Sequence, residues 1–262
     1  MRYINIKNIK ISRFIIGGNP FSGFSHLSKE IDIKMKKYFT SNRIKETLRE
    51  AEKYGINTFI GRADNHIMRI LLEYWEEGGK IQWIAQTCPE IKSQELSIDM
   101  AINNNPIGCY IHGGYVDYLF LNKRIEEVFP LIERIKKNGI LSGIAGHIPE
   151  VFIWAEKNID VDFYMCSYYN PIYRKEKPEK SEEEEQFSDT DREKMIKVIK
   201  KLQKVVIHYK IMAAGRKTPE ESISFLSKNA RENDMVCIGI YPEMKKEMIK
   251  ENIELMKKFK FL

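Results

Sequence analysis

Eight short apolar runs, each stopping at a small polar or glycine-rich cluster, dominate this chain. Their ends read IIGGN, TFIGRADNH, WIAQT, CYIHGG, SGIAGH, FYMCSYYN, KIMAAGR and CIGIY. A helix-like stretch follows most of them. Strand-then-helix alternation at this spacing predicts parallel strands joined by crossover helices. Eight such units close into a (β/α)8 barrel, a TIM barrel, whose chemistry sits at the strand C-termini. The eight clusters are therefore the expected active site.

The length of 262 residues fits one such barrel, which needs roughly 250 residues. No Pro/Gly/Ser-rich linker and no mid-chain shift in composition divide it, so a single domain over 1–262 is expected. Lys+Arg 43 against Asp+Glu 37 leaves +6, with lysine interleaved with glutamate as in KKEMIKENIELMKK. Nucleic-acid binding needs positive charge gathered on one face, so no nucleic-acid partner is expected and a small-molecule substrate is. No apolar run approaches the ~20 residues of a membrane span, which speaks against a membrane partner. Cys88, Cys109, Cys166 and Cys237 form no CxxC pair and no secretory signal is read, which fits reduced thiols in a cytoplasmic protein. Nothing in the pattern sets the oligomeric state.

Along the chain, Arg2–Ser12 reads as a β-hairpin outside the barrel, plugging its lower end. The first barrel strand is expected over Arg13–Gly17, followed by a long loop from Asn19 to Phe39. Helices are expected from Thr40/Ser41 to Tyr54, His66–Glu77, Ser93–Asn103, Lys123–Asn138, Pro149–Lys157, from Asp189/Thr190, from Thr218-Pro219 and from Pro242 to Phe259. The remaining strands are Thr58–Gly61, Ile81–Ala85, Gly108–Ile111, Leu141–Ala145, Asp162–Cys166, Val205–Ala213 and Met235–Ile240. The stretch 175–191, containing KEKPEKSEEEEQ, is too polar to pack and reads as a mobile charged loop, a candidate lid.

Five motifs in order then carry a resemblance. INIKNIKISRFIIGGNPFSG, YGINTFIGRAD, CYIHGG, YYNP at 168–171 and GIYPEMKKEMIKENI are similar to segments of the aldo-keto reductases, and the likeness spans almost the whole chain. That family reduces carbonyls with NADPH, using an Asp, Tyr, Lys and His set in which tyrosine delivers a proton beside the transferred hydride. The resemblance implies NADP(H) as cofactor. It places the aspartate on Ile60 or Gly61, the tyrosine on Asn65 or His66, the lysine on Thr87 and the histidine on His112. The nicotinamide amide ligands fall on Ala145-Gly146 and Cys166, and the phosphate-binding lysine and arginine on Pro242 and Met248. Only the histidine is kept, so fold and reaction separate.

The polar residues at the strand ends bound the chemistry. His112 and His147 close adjacent strands, where imidazoles can converge on one ligand, and His66 with Asp64 follows the second strand. Each lone histidine could equally be a hydrogen-bonded loop residue. His112, His147, Asp64 and Cys166 are suitable metal ligands without a spacing signature, and no metal is assigned. Arg62 and Arg216 could clamp a carboxylate or phosphate, Arg216 at the start of a helix where anions gather. A surface pairing of Arg216 with Glu220 or Glu221 is the alternative. Lys210 is either an inward Schiff-base amine or an outward lysine. Asn19, Gln86, Thr87, Tyr168, Tyr169, Asn170 and Tyr241 complete the candidate substrate or cofactor surface. A small carbonyl or sugar-like substrate suits this set. The readings are a divergent NAD(P)-dependent oxidoreductase, a non-redox isomerase, lyase or hydrolase using His112 and His147, or a silent ligand-binding barrel.

Overall fold

A computed structural model describes residues 1–91, 93–178 and 186–262. The hairpin β1 (Tyr3–Ile6) and β2 (Ile9–Ser12) comes first. The barrel strands are β3 (Phe14–Gly17), β4 (Thr58–Arg62), β5 (Gln82–Gln86), β6 (Gly108–Ile111), β7 (Leu141–Gly146), β8 (Phe163–Ser167), β9 (Val205–Tyr209) and β10 (Met235–Gly239). They pair in parallel in sequence order, and β10 closes on β3 through Phe14↔Val236 to Gly17↔Gly239. The molecule is a (β/α)8 TIM barrel with an N-terminal antiparallel hairpin.

The strands alternate between two buried layers. Ile15, Ile60, Ile84, Tyr110, Met165 and Ile207 form part of an inner cluster, which Ile4, Ile6 and Ile11 of the hairpin join. The hairpin therefore plugs the barrel end away from the strand C-termini. The intervening residues, among them Ile16, Phe59, Trp83, Ile111, Tyr164 and Val206, face outward into the core under the helices. Period-two alternation is the ordinary consequence of strand geometry. Here both faces are covered, so the sequence shows continuous apolar runs.

The outer layer consists of α1 (Lys29–Tyr38), α2 (Ser41–Lys53), α3 (Asn65–Glu76), α4 (Gln94–Ile102), α5 (Gly113–Leu121), α6 (Val128–Lys137), α7 (Pro149–Asn158), α8 (Asp189–Ile199), α9 (Pro219–Asn229) and α10 (Met248–Lys258). The side chains of Thr40, Ser93 and Thr218 cap α2, α4 and α9, each accepting the backbone N–H three residues on. No helix among the described residues is long and apolar enough to cross a membrane.

Four expectations need correction. The stretch Asn19–Phe39 is not all loop: α1 lies within it, capped by Ser28, with Glu30 and Asp32 in its first turn and Lys36 and Lys37 in its last. Its apolar stripe is narrow, with only Met35 buried, so periodicity did not reveal it. Where one helix is expected over Lys123–Asn138, two form: α5 already opens at Gly113, because His112 caps it and Val116 and Leu119 bury, and α6 covers Val128–Lys137. Strand β9 ends at Tyr209, since Lys210 takes the left-handed φ of 57° and Ala213 and Ala214 repeat that region. Helix α10 starts at Met248 rather than at Pro242. Of the stretch 175–191, residues 179–185 lie outside the described residues, while 189–191 already belong to α8, with Ser188 at its N-cap.

Candidate active site

The inward parity of the strands selects the mouth. Arg62, Gln86 and Tyr209 are the last residues of their strands and fall on the inner register, two residues beyond Ile60, Ile84 and Ile207. His112 and His147 immediately follow β6 and β7 on the same register, beyond Tyr110 and Ala145. Arg216, past β9, lies at the same end of the barrel. The backbone N–H of His112 donates to Thr87 Oγ1 at 3.0 Å, and its Nδ1 accepts the Gly114 N–H at 3.0 Å. With Nδ1 an acceptor, the neutral ring carries its proton on Nε2, a tautomer assigned from this bonding. Burial holds the imidazole well below its ordinary pKa, reinforced by Arg174, His147, Arg62 and Lys210. His112 is thus a neutral N–H donor at neutral pH.

His147 has different company. Its Nδ1 lies 2.6 Å from Asp117 Oδ2 and its Nε2 3.2 Å from the Tyr209 hydroxyl. Asp117, on α5, also accepts the backbone N–H groups of His147 at 3.0 Å and Ile148 at 3.4 Å. Burial pushes the Asp117 carboxyl up to about 7, although Arg174 and those two N–H groups oppose the shift. The ion pair between Arg174 and Asp117 is long, 3.9 Å. Asp117, His147 and Tyr209 therefore form a continuous chain from a buried carboxyl to a hydroxyl facing the barrel lumen. Glycine at 113 permits it: a Cβ there would lie 3.1 Å from Gly146 N and 3.2 Å from both His147 Cε1 and Tyr209 OH.

A second polar group borders the same mouth. Lys210 Nζ is 3.2 Å from His26 Nε2, which also meets Asn19 Nδ2 at 3.3 Å. Arg216 donates to the His26 carbonyl at 3.0 Å and lies over the Phe187 ring at 4.3 Å. It pairs with neither Glu220 nor Glu221, so the surface-pairing alternative does not describe it. Lys210 follows β9 rather than sitting within it.

Other candidates are spent on structure. Asp64 caps α3 through Ile67 N–H at 2.9 Å and pairs with Arg62 at 3.0 Å. Arg62 is also bonded to Glu90, which leaves it poorly suited to clamp a ligand. His66 is exposed on α3 and makes no hydrogen bond among the described residues. Gln86 Oε1 accepts from Tyr110 OH at 2.7 Å. Asn170 borders a 180 Å³ cavity together with His147, Glu150 and Lys194.

Cys166 and Tyr168 stand on the outward register of β8 and its continuation. Cys166 is fully buried in the core beneath the helices, and Tyr168 packs edge-on against His208 and Phe225. Tyr169 packs against Phe187 in that core, and Tyr241 against Tyr38 and Phe39, with its hydroxyl on Glu243. These four side chains are packing residues. Among the described residues no group of three metal ligands assembles, consistent with Cys166 facing outward and Asp64 being engaged.

Asp117, Tyr209 and Arg174 were missed in the sequence. Asp117 left one trace, the only ionisable acid or base in the apolar helix GGYVDYLFL apart from its tyrosines.

The fold and mouth define a (β/α)8 barrel protein with a buried acid–base cluster at the strand C-termini. No family model matches the chain, and no curated protein matches it by sequence. Solved structures do resemble it. A candidate aldo-keto reductase from Pseudomonas aeruginosa superposes with TM-score 0.66 at 12% identity, covering 99% of this chain and 94% of that one. An aldo-keto reductase from Bacillus halodurans gives 0.59 at 11%, covering 98% and 90%. A truncated 3-deoxy-D-arabino-heptulosonate 7-phosphate synthase from Thermotoga maritima gives 0.57 at 13%, covering 98% and 91%. At such identities the likeness establishes a shared barrel fold.

The residues present do not fit a nicotinamide cofactor held in the aldo-keto reductase manner. Ala145 and Gly146 offer no side-chain donor, and Cys166 faces away from the lumen. Beside Pro242, where a cation would meet the extra phosphate, stands the carboxylate of Glu243.

Proposed function

We propose that this protein is an enzyme that moves a proton α to the carbonyl of a small substrate, as an isomerase or lyase does. The observation carrying the reading is the Asp117–His147–Tyr209 chain facing a lumen that also holds His112. His112 Nε2–H donates to the substrate carbonyl and stabilises the oxyanion as the enol forms. Burial pushes the Tyr209 hydroxyl well up, so a free phenolate is disfavoured. The hydroxyl instead gives its own proton to His147 Nε2 as it takes the substrate's, and Asp117 stabilises the imidazolium. The reverse relay returns the proton to a neighbouring carbon or to a departing fragment.

The test is deuterium incorporation from D2O, followed by NMR, into a panel of small hydroxyaldehydes, hydroxyketones and 2-oxo acids. Exchange at the α carbon that Tyr209→Phe and His147→Gln abolish supports the reading; exchange indifferent to both overturns it. The oxidoreductase reading draws on fold likeness. Saturable quenching of tryptophan fluorescence by NADPH at micromolar concentrations would favour it over the non-redox one, and NADPH-dependent turnover would replace that reading. A barrel that binds ligand without turnover would show neither exchange nor reduction.

A further inference from the structure

Arg174 is 5% exposed, yet its guanidinium is under-used. Nη1 donates to the Ile172 carbonyl at 3.2 Å and lies 3.9 Å from Asp117, while Nε has no partner among the described residues. A buried guanidinium with five donors and so little company is expensive. Beside it, the N-terminus of α5 adds the positive end of a helix dipole. Glycine at 114 lets the α5 backbone pack directly against the guanidinium: a Cβ there would lie 2.9 Å from Arg174 Nε, 3.0 Å from His112 Cε1 and 2.5 Å from the Pro178 carbonyl, too close for any side chain. Across the mouth, Arg62 is neutralised by Asp64 and Glu90, whereas Arg174 lies 3.9 Å from Asp117.

We propose that Arg174 and the α5 N-terminus bind the anionic group, a carboxylate or phosphate, of a carbonyl substrate whose reacting carbon lies against His112 and Tyr209. The inference rests on the proton-transfer reading and narrows it to anionic substrates. The guanidinium fork matches either group, taking two oxygens at once. Because Gly114, Arg174 and the Pro178 carbonyl already touch, admitting the anion requires the 172–178 segment to move aside. Placing the anion there orients the carbonyl relative to Nε2–H of His112, which a neutral aldehyde lacks the means to do.

Thermal melts of the intact protein with inorganic phosphate or pyruvate, against chloride at equal ionic strength, test this directly. A ligand bound only by the native state raises Tm with its concentration. The expected result is a saturable rise for one or both probes, which says whether phosphate or carboxylate is preferred. In R174Q the rise needs about tenfold or more probe, and in R174K severalfold more, while R216Q behaves as the wild type. No rise over chloride, or an unchanged rise in R174K, overturns the proposal even if R174Q does not fold. The two readings separate cleanly. An Arg174-dependent rise without α-proton exchange leaves the anion site and removes the chemistry. Exchange as fast on neutral aldehydes as on their anionic counterparts leaves the chemistry and removes the anion site.

Discussion

Two aspartate–histidine pairs lie buried in this barrel, and their environments send them in opposite directions. At the mouth, Asp117 Oδ2 meets His147 Nδ1 at 2.6 Å. In the outer wall, Asp234 Oδ2 meets His208 Nε2 at 3.1 Å. Burial raises the Asp117 carboxyl to about 7, since Arg174, 3.9 Å away, opposes it only weakly. Burial pushes Asp234 up as well, but hydrogen bonds from His208 and Arg231 outweigh it and hold the carboxyl well below the usual range. Arg231 reaches Asp234 through Nη2 at 2.7 Å and its backbone N–H at 2.8 Å, and donates further to the carbonyls of Leu202 and Lys204. His208 is fully enclosed, with Nδ1 unpartnered among the described residues, whereas His147 Nε2 touches a lumen-facing hydroxyl. The same two functional groups make a brace in one place and a proton carrier in the other. What separates them is the distance to a guanidinium and the presence of an outlet.

The largest expected effect breaks the comparison if it fails. Tyr209→Phe and His147→Gln each lower the α-proton exchange rate by about 10²-fold or more. His208→Gln leaves that rate within about twofold and instead lowers the urea midpoint, since it disturbs only a buried pair. Equal losses of exchange in His147→Gln and His208→Gln would show that the mouth pair has no special role.

Stability sharpens the contrast next. Asp234→Asn strands Arg231 and His208 in the wall, and breaking such a pair costs about 3–5 kcal/mol. Asp117→Asn removes a carboxyl that is only partly ionised near pH 7, leaving a loss of about 1–3 kcal/mol from disturbed hydrogen bonds. Urea unfolding at neutral pH, compared across the two variants, gives the order.

The pH dependence has opposite signs in the two places. The native pKa of Asp234 is depressed below the ordinary 3.8, so its contribution is present above that value and lost as pH falls through the native pKa. The native pKa of Asp117 is raised, so between 3.8 and about 7 the native state keeps a proton that the unfolded chain releases. Its contribution therefore declines as pH rises across that window. Wild-type stability relative to Asp117→Asn should fall from pH 4 to pH 7, and relative to Asp234→Asn it should fall only on acidification below about 4. The exchange rate should show an inflection near 7 that Asp117→Asn removes, and that value belongs to the Asp117–His147 pair as a unit.

The barrel was legible because eight covered parallel strands leave continuous apolar runs, and strand C-termini leave polar stops. His112 and His147 were legible for the same reason, as the first ionisable residues past β6 and β7. Tyr209 was not: reading β9 through Ala213 hid its end, and only the left-handed Lys210 marks the stop. Asp117 was hidden because no helix was expected between β6 and Lys123, and the two glycines that open α5 are poor helix formers that let it start against β7. Arg174 sits in a polar crossover with no periodicity to place it. Conversely, Cys166 and Tyr168 looked like site residues because they stand at the end of a strand whose apolar residues do not alternate with polar ones, so composition could not say which register faced the lumen. Phe163 and Met165 in the inner cluster decide it.

That register makes the smallest prediction. Cys166 is fully buried beneath the helices, and burial holds its thiol well above the ordinary range. It is a small apolar filler there rather than a nucleophile or ligand. Cys166→Ala should remove little more than one buried sulfur, costing about 1 kcal/mol in urea unfolding, and leave exchange and anion-dependent melting at wild-type values. A thiol at the mouth would behave otherwise, because its loss would alter turnover before it altered stability. Intact stability with lost exchange in Cys166→Ala would reverse the assignment of the two faces of β8, and with it the inward placement of Tyr209 on the neighbouring strand, which shares that register through Cys166↔His208 and Ser167↔Tyr209.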